Sequence, residues 1–460
     1  MKKEFLWSQR LGFSNQEAAA IQKLGIERFL QQSFDSPFNT SIPELLGESP
    51  KSLDDYKKIR QSRKEDAEVA KELLKKEIQT SNELKAWWID QMKTADFPLR
   101  EKMTLFWQNH FVTAYQKVKV NYWIYQNNQL FRENAFGNFK TLTKKAIQTN
   151  AMVRYLDNVD NKKGKLNENL SRELLELFTL GIGNYSEDDI KNGAKGLAGL
   201  GIGETTAVYR RFFEDNSPIE YLGKKGNLKL EEMVDAIFDH PKIPYLLTRK
   251  IIKWFLYDEP KEDLVTYYGD YFRKVNFEIK PLLIKIFMEE FEKNDTKGTK
   301  IKNPLEYILL LTNELQTEKL QSIAIAFFVK QQGMDLFNPP NVKGWNGGKS
   351  WLTSQIYLQR NNAADLLCSG KNIRELTSER GNTRNIKPTL SIALDWNTKG
   401  TNKEIIKELT DRLLFSTDAS LQQDLEKVLK YDFDPQSPGA NNAVVRLFNA
   451  IIKSPEFQLI

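Results

Sequence analysis

One cysteine, two histidines, 16 prolines and 24 glycines in 460 residues put several classes of protein out of reach. The lone thiol, Cys368, excludes an intramolecular disulfide framework and a cysteine-rich zinc site. His110 and His240 are the only imidazoles, which leaves carboxylates as the main metal ligands, so no metal or cofactor is expected. No apolar run reaches the roughly 18 residues that a spanning helix needs. The first stretch, MKKEFLWSQRLGF, starts basic, but Glu4, Ser8, Gln9 and Arg10 interrupt the apolar region of a signal peptide. The expectation is a soluble chain with no export address of its own, cytoplasmic by default. The basic excess is small, 67 basic against 61 acidic side chains, and its denser runs (KKEIQ, TKKAIQ, YLGKKGN) are short and scattered. A nucleic-acid partner would want that charge gathered on one face, and none is expected. G-x-S-x-G, the Walker lysine loop, H-E-x-x-H and EF-hand series are all missing.

What is present is helical periodicity from end to end, in a composition that is 40% hydrophobic and 28% charged. Helical patterns span about 54–79, 84–94, 97–132, 167–180, 229–256, 303–333, 350–369, 402–430 and 440–453. Ser14 with Glu17, and Ser186 with Asp189, have the capping-box form. Aromatic and β-branched residues flank a polar turn at 215–218, predicting a small hairpin within 207–227. In LFNPPNVKGWNGGKSW, 336–351, two prolines and three glycines predict a constrained loop. The polar segments 293–303 and 370–402 read as surface, the second as partly mobile. The fold class is therefore mainly α, a multi-helical globular protein with one small hairpin and one Pro/Gly loop. A single domain spans the chain, divisible into helical lobes at 1–200 and 201–460.

FWQNHF, 106–111, sets one of the two histidines among three large aromatics. If 97–115 is one helix, Leu99, Met103, Phe106, Trp107 and Phe111 share a stripe with His110 near its middle, pointing inward. Two readings stand: a core histidine tied to a carboxylate or carbonyl, or a functional base or ligand. In KLNENLSRELLELFTLGIGNY, 165–185, Leu170, Leu174, Leu177 and Phe178 form a buried stripe. Asn169, Glu173 and Glu176 lie along its edge. A partly desolvated Glu173 would gain proton affinity and suit acid or base work, with Asn169 and Arg172 beside it; the alternative is a surface ion pair. The Pro/Gly loop adds Asn341, Trp345, Asn346 and Trp351, indoles and amides that suit a flat polar ligand such as a glycan or peptide, or equally an interior lid. Asn109 and Trp107 complete the candidate binding set.

The succession PLREKMTLFWQNHFVT, NENLSRELLELFTLGIGNYSEDDI, YLGKKGN, HPKIPYLLTRKIIKWF, KNPLEY, LFNPPNVKGWNGGKSW and SPEF, from RLGF at 10–13 to 454–457, resembles the bacterial domain of unknown function 1800 family. Members from Bacteroidetes are especially similar. The family's activity is not settled. The resemblance implies a helical binding or accessory protein, envelope-associated by co-export, working with a sulfatase- or phosphatase-like partner of the domain of unknown function 1501 family. The competing expectation is a hydrolase acting on glycans or other envelope polymers, with Glu173 as acid or base and His110 assisting. Three departures stand out. Phe178 occupies a place where relatives often carry histidine, LAGL with Ala198 and Leu200 replaces LTGW, and Glu214 with Asp215 replaces an HD pair. A histidine-based metal centre is hit hardest by these changes.

Overall fold

The computed structural model describes residues 1–317, 320–373 and 390–460. The expected mobility of 370–402 falls partly on 374–389, outside the described residues. The fold is mainly α-helical, with two small two-stranded antiparallel sheets among the described residues.

Caps and breaks decide where the helices run. Ser186 accepts from the Asp189 N–H while Asp189 accepts from the Ser186 N–H at 2.8 Å, the reciprocal box that the sequence predicts. Ser14 and Glu17 form no such box. Ser14 Oγ accepts from the Gln16 N–H at 3.2 Å, and the Glu17 carboxylate turns inward to accept from Ser8 Oγ at 2.9 Å. The long periodic stretches are also cut. The 97–132 pattern becomes Leu99–His110, Tyr115–Val118 and Asn121–Glu133, with Lys119 in the left-handed region at φ 63°. His240 and Pro241 separate Leu230–Asp239 from Ile243–Phe255, because proline supplies no N–H to carry a helix onward. The 303–333 stretch resolves into Pro304–Glu314 and Ser322–Gln331, and 402–430 into Asn402–Leu413 and Ala419–Val428. Conversely, the expected gap near 80 is absent. Ala67–Thr94 runs unbroken for 28 residues, capped by Asp66, about 42 Å at 1.5 Å per residue.

The β structure differs in detail from the expected hairpin. Ile219–Tyr221 pairs with Lys224–Gly226 across Leu222 and Gly223, so the turn comes later than 215–218. Val208–Tyr209 pairs instead with Leu200–Gly201.

Both ends of the chain meet in one buried polar hub. Helix Lys3–Leu11 sends Trp7 against Phe287 and Phe291, and Arg10 donates to the carbonyls of Thr296, Leu256 and Ile460. Lys102 donates to the carbonyls of Gln9 (2.7 Å) and Gly12 (2.6 Å) and pairs with Glu306 at 2.9 Å. Lys302 holds the carbonyls of Phe457 and Leu459, both at 2.6 Å. Burial alone would raise the Glu306 carboxyl, but Lys102 and Lys300 pull it down to about 2. This hub fixes 300–306, one wall of the site below.

Candidate functional site

Helix Leu99–His110 is buried almost all round, and it stops at His110 because Phe111 leaves helical space at φ −98°, ψ 71°. The stripe expected from a longer helix is real over this span, with the imidazole 3% exposed among Phe106, Trp107, Phe111, Phe139 and Phe178. Its partners come from a wider turn. After Asn169–Glu173 the chain passes into a π-helix, Leu174–Thr179. The carbonyls of Leu177 and Phe178 at its end accept from Lys250 Nζ at 2.8 Å and from His110 Nε2 at 3.0 Å. Lys250 Nζ also lies 3.3 Å from His110 Nδ1. The imidazole is thus tied to a carbonyl and an amine, not to Glu173. Burial, and then the charge of Lys250, hold His110 well below its ordinary pKa, with the Phe178 hydrogen bond opposing. Burial brings the Lys250 ammonium down to about 8.

The Pro/Gly loop closes over this helix end. Asn109 Oδ1 accepts from the Trp345 N–H at 2.7 Å. Gly344, at φ +80°, comes so near that a Cβ there would lie 2.2 Å from Asn109 Oδ1 and 2.8 Å from the Asn109 carbonyl oxygen. Only glycine satisfies both the turn and the contact.

Between helix end and loop lies a cavity of about 260 Å³, near the lower end of small-molecule sites, which run from about 300 to 1,000 Å³. His110, Asn109 and Phe106 form its floor, Trp345, Asn346 and Trp351 its loop wall, and Lys250, Lys253 and Trp254 its helical wall. Lys300, Lys343 and Asp258 complete the charge around it. Lys300 is paired with Glu306 at 2.7 Å, whereas neither Lys253 nor Lys343 forms an ion pair with a described residue. Asp258 accepts from the Ile301 N–H at 2.9 Å; burial raises its pKa, opposed by that bond and by Lys300 and Lys253. Three indole N–H groups are buried without a hydrogen-bond partner among the described residues: Trp254 Nε1 and Trp345 Nε1, whose side chains line the cavity, and Trp7 Nε1 in the core.

The structure gathers His110, Asn109, Trp345, Asn346 and Trp351 here and leaves the other candidates elsewhere. Trp107 is a core residue, fully buried, donating to the Ala135 carbonyl at 3.1 Å. Glu173 is half-buried outside the cavity wall; burial and then Glu176 raise its carboxyl, opposed by Arg172 and Lys343. Arg172 bridges Glu168 (3.2 Å) and Glu187 (3.1 Å), and Asn169 reaches Asp157 at 3.4 Å. Asn341 is exposed and accepts from the Lys343 N–H at 2.9 Å, shaping the turn. Sequence reasoning missed Lys250, Lys253, Trp254, Asp258, Lys300 and Lys343. RKIIKWF holds a signal, since Lys250, Lys253 and Trp254 at i, i+3 and i+4 share one helical face. Among the described residues no group of three or more His, Cys, Asp or Glu could hold a metal, and no helix is long and apolar enough to cross a membrane.

Fold and site together define a multi-helical protein with a small, indole-walled, lysine-rich cavity. The family model described as "Protein of unknown function (DUF1800)" matches residues 6–459, and the chain belongs to that family. No curated protein and no solved structure matches it.

Proposed function

We propose that this is a binding protein whose cavity takes an anionic saccharide unit, and that it acts as an accessory to a sulfatase- or phosphatase-like partner of the domain of unknown function 1501 family in the bacterial envelope. The observation that carries the ligand reading is a cavity walled by the indoles of Trp254, Trp345 and Trp351 and bordered by Lys253 and Lys343, neither of which forms an ion pair with a described residue. Sulfate, phosphate or carboxylate oxygens accept from lysine ammoniums, and a sugar ring offers a flat apolar face to indole. A partner that cleaves sulfate or phosphate esters would act on that ligand chemistry. The partner, the envelope location and the kinship with members from Bacteroidetes rest on the family resemblance. Val208, Phe212 and Phe213 are exposed apolar residues within one short segment and offer a surface on which to test the partner.

The hydrolase reading is weaker on the geometry. Glycoside hydrolysis in its usual form needs two carboxyl groups flanking one bond. Among the described residues the cavity wall carries one, Asp258, and it is engaged by the Ile301 N–H. Calorimetric titration with a sulfated disaccharide and its unsulfated counterpart tests the proposal. The sulfated form is expected to bind at least about tenfold more tightly, a difference near 1.4 kcal/mol, and to lose that margin in Lys253→Gln/Lys343→Gln. Equal affinity for both sugars, or none for either, would refute the ligand reading.

A further inference from the structure

Lys250 is the least expected group in the cavity. Its Nζ donates to the Leu177 carbonyl at 2.8 Å and reaches His110 Nδ1 at 3.3 Å. Because His110 Nε2 meets a carbonyl, which can only accept, Nε2 carries the ring proton and Nδ1 is left as an acceptor. Both partners of Lys250 are therefore acceptors. A tetrahedral nitrogen with its Cε bond and two N–H bonds so directed has one direction left. In the ammonium that direction holds the third proton, and in the free amine it holds the lone pair. No described carboxylate pairs with Lys250, so nothing of opposite charge retains the proton, and burial makes it easier to lose. Lys253, from the same helix, and Lys343, from the Pro/Gly loop, line the same cavity with the indoles of Trp254 and Trp345.

We propose that Lys250 captures a small anionic aldehyde or ketone in this cavity as a Schiff base, a step that rests on the cavity being an anion site. The free amine attacks the carbonyl carbon, and the carbonyl oxygen takes a proton from nitrogen to give a carbinolamine. The second nitrogen proton leaves with that hydroxyl as water while the C=N bond forms. Amine and carbonyl become imine and water, with no oxidant or reductant. The ligand's anionic group faces Lys253 and Lys343, and His110 is a positioning residue that holds the amine. The titratable and charged groups around Lys250 are His110 at the end of helix Leu99–His110, Lys253 and Asp258 from its own helix and the turn after it, Lys300 from the segment 300–306 and Lys343 from the Pro/Gly loop.

The test is reductive trapping of the full chain with glyoxylate and cyanoborohydride, followed by peptide mapping, across pH 6–9. Lys250 is expected to gain a carboxymethyl group roughly tenfold faster than exposed lysines such as Lys349 and Lys399. The rate should climb towards a plateau above about pH 8, and excess sulfated disaccharide should slow it. Lys250→Arg, verified as folded by circular dichroism, should lose the fast label, leaving the remaining lysines to react no faster than Lys349 and Lys399. If the native chain binds that sugar but labels Lys250 no faster than exposed lysines, the Schiff base is overturned and the anion site stands. If it neither binds the sugar nor labels Lys250 preferentially, both fall.

Discussion

Lys102 in the hub and Lys250 on the cavity wall are alike in one respect and opposed in another. Burial brings each down to about 8. Lys102, however, is wrapped by the carbonyls of Gln9 and Gly12 and by the Glu306 carboxylate, whereas Lys250 has one carbonyl and a neutral imidazole and borders open space. A weakened hold on a proton is common to a structural and a chemical lysine. What separates them is whether the fourth direction of the nitrogen meets protein or space.

The contrast can be broken by removing partners. Glu306→Ala strands Lys102 and Lys300 in the core and should cost about 3–5 kcal/mol in urea unfolding. Lys250→Met removes an amine that no described carboxylate holds, so its cost should stay near 1–2 kcal/mol, set by the unpaired Leu177 carbonyl and His110 Nδ1. Comparable losses for the two variants would erase the distinction. Gly344→Ala sharpens it from the loop side. Strain at φ +80° and the overlap with Asn109 should cost about 1–3 kcal/mol and weaken binding of the sulfated disaccharide in the same calorimetry.

His110 supplies the pH dependence. Its folded-state pKa lies well below 6.5, so below about pH 6.5 the unfolded chain binds a proton that the folded chain refuses. Stability contributed above that pH is lost as the pH falls, by up to about 1.4 kcal/mol per unit. In His110→Gln the denaturation midpoint should fall less steeply between pH 6.5 and 5 than in the native chain; an unchanged slope would mean that the imidazole is not buried neutral. The smallest effect belongs to the surface strip. Arg172→Ala, which breaks exposed ion pairs to Glu168 and Glu187, should cost less than about 1 kcal/mol and leave ligand affinity untouched.

Helix content was legible because an apolar stripe repeats whatever the tertiary context, and the special loop at 336–351 was legible because Pro and Gly have few other uses. Helix ends were harder to place. Phe111 and Lys119 leave helical space inside an uninterrupted apolar pattern, and nothing in the periodicity of 165–185 announces the π-helix at Leu174–Thr179. Half of the site came from rarity: His110 and Trp345 are conspicuous residues in conspicuous stretches. The lysines did not stand out, since they belong to a chain with 67 basic side chains and only folding brings 250, 253, 300 and 343 to one cavity. The surroundings of Glu173 were only partly legible. Its place at a stripe edge matches its half-burial, and Glu176 and Arg172 of its own segment act on it first, but the influence of Lys343 comes from a loop that only the fold brings near.

The claim that the indole-walled cavity takes an anionic saccharide can be tested on the indoles themselves. The chain has nine tryptophans, so ¹⁵N-tryptophan labelling resolves nine indole N–H signals, with Trp254 and Trp345 assigned by Trp→Phe variants. Addition of the sulfated disaccharide should move the Trp254 and Trp345 signals downfield and leave those of the core residues Trp7, Trp88 and Trp107 in place. Unmoved Trp254 and Trp345 signals at saturating sugar would contradict the account.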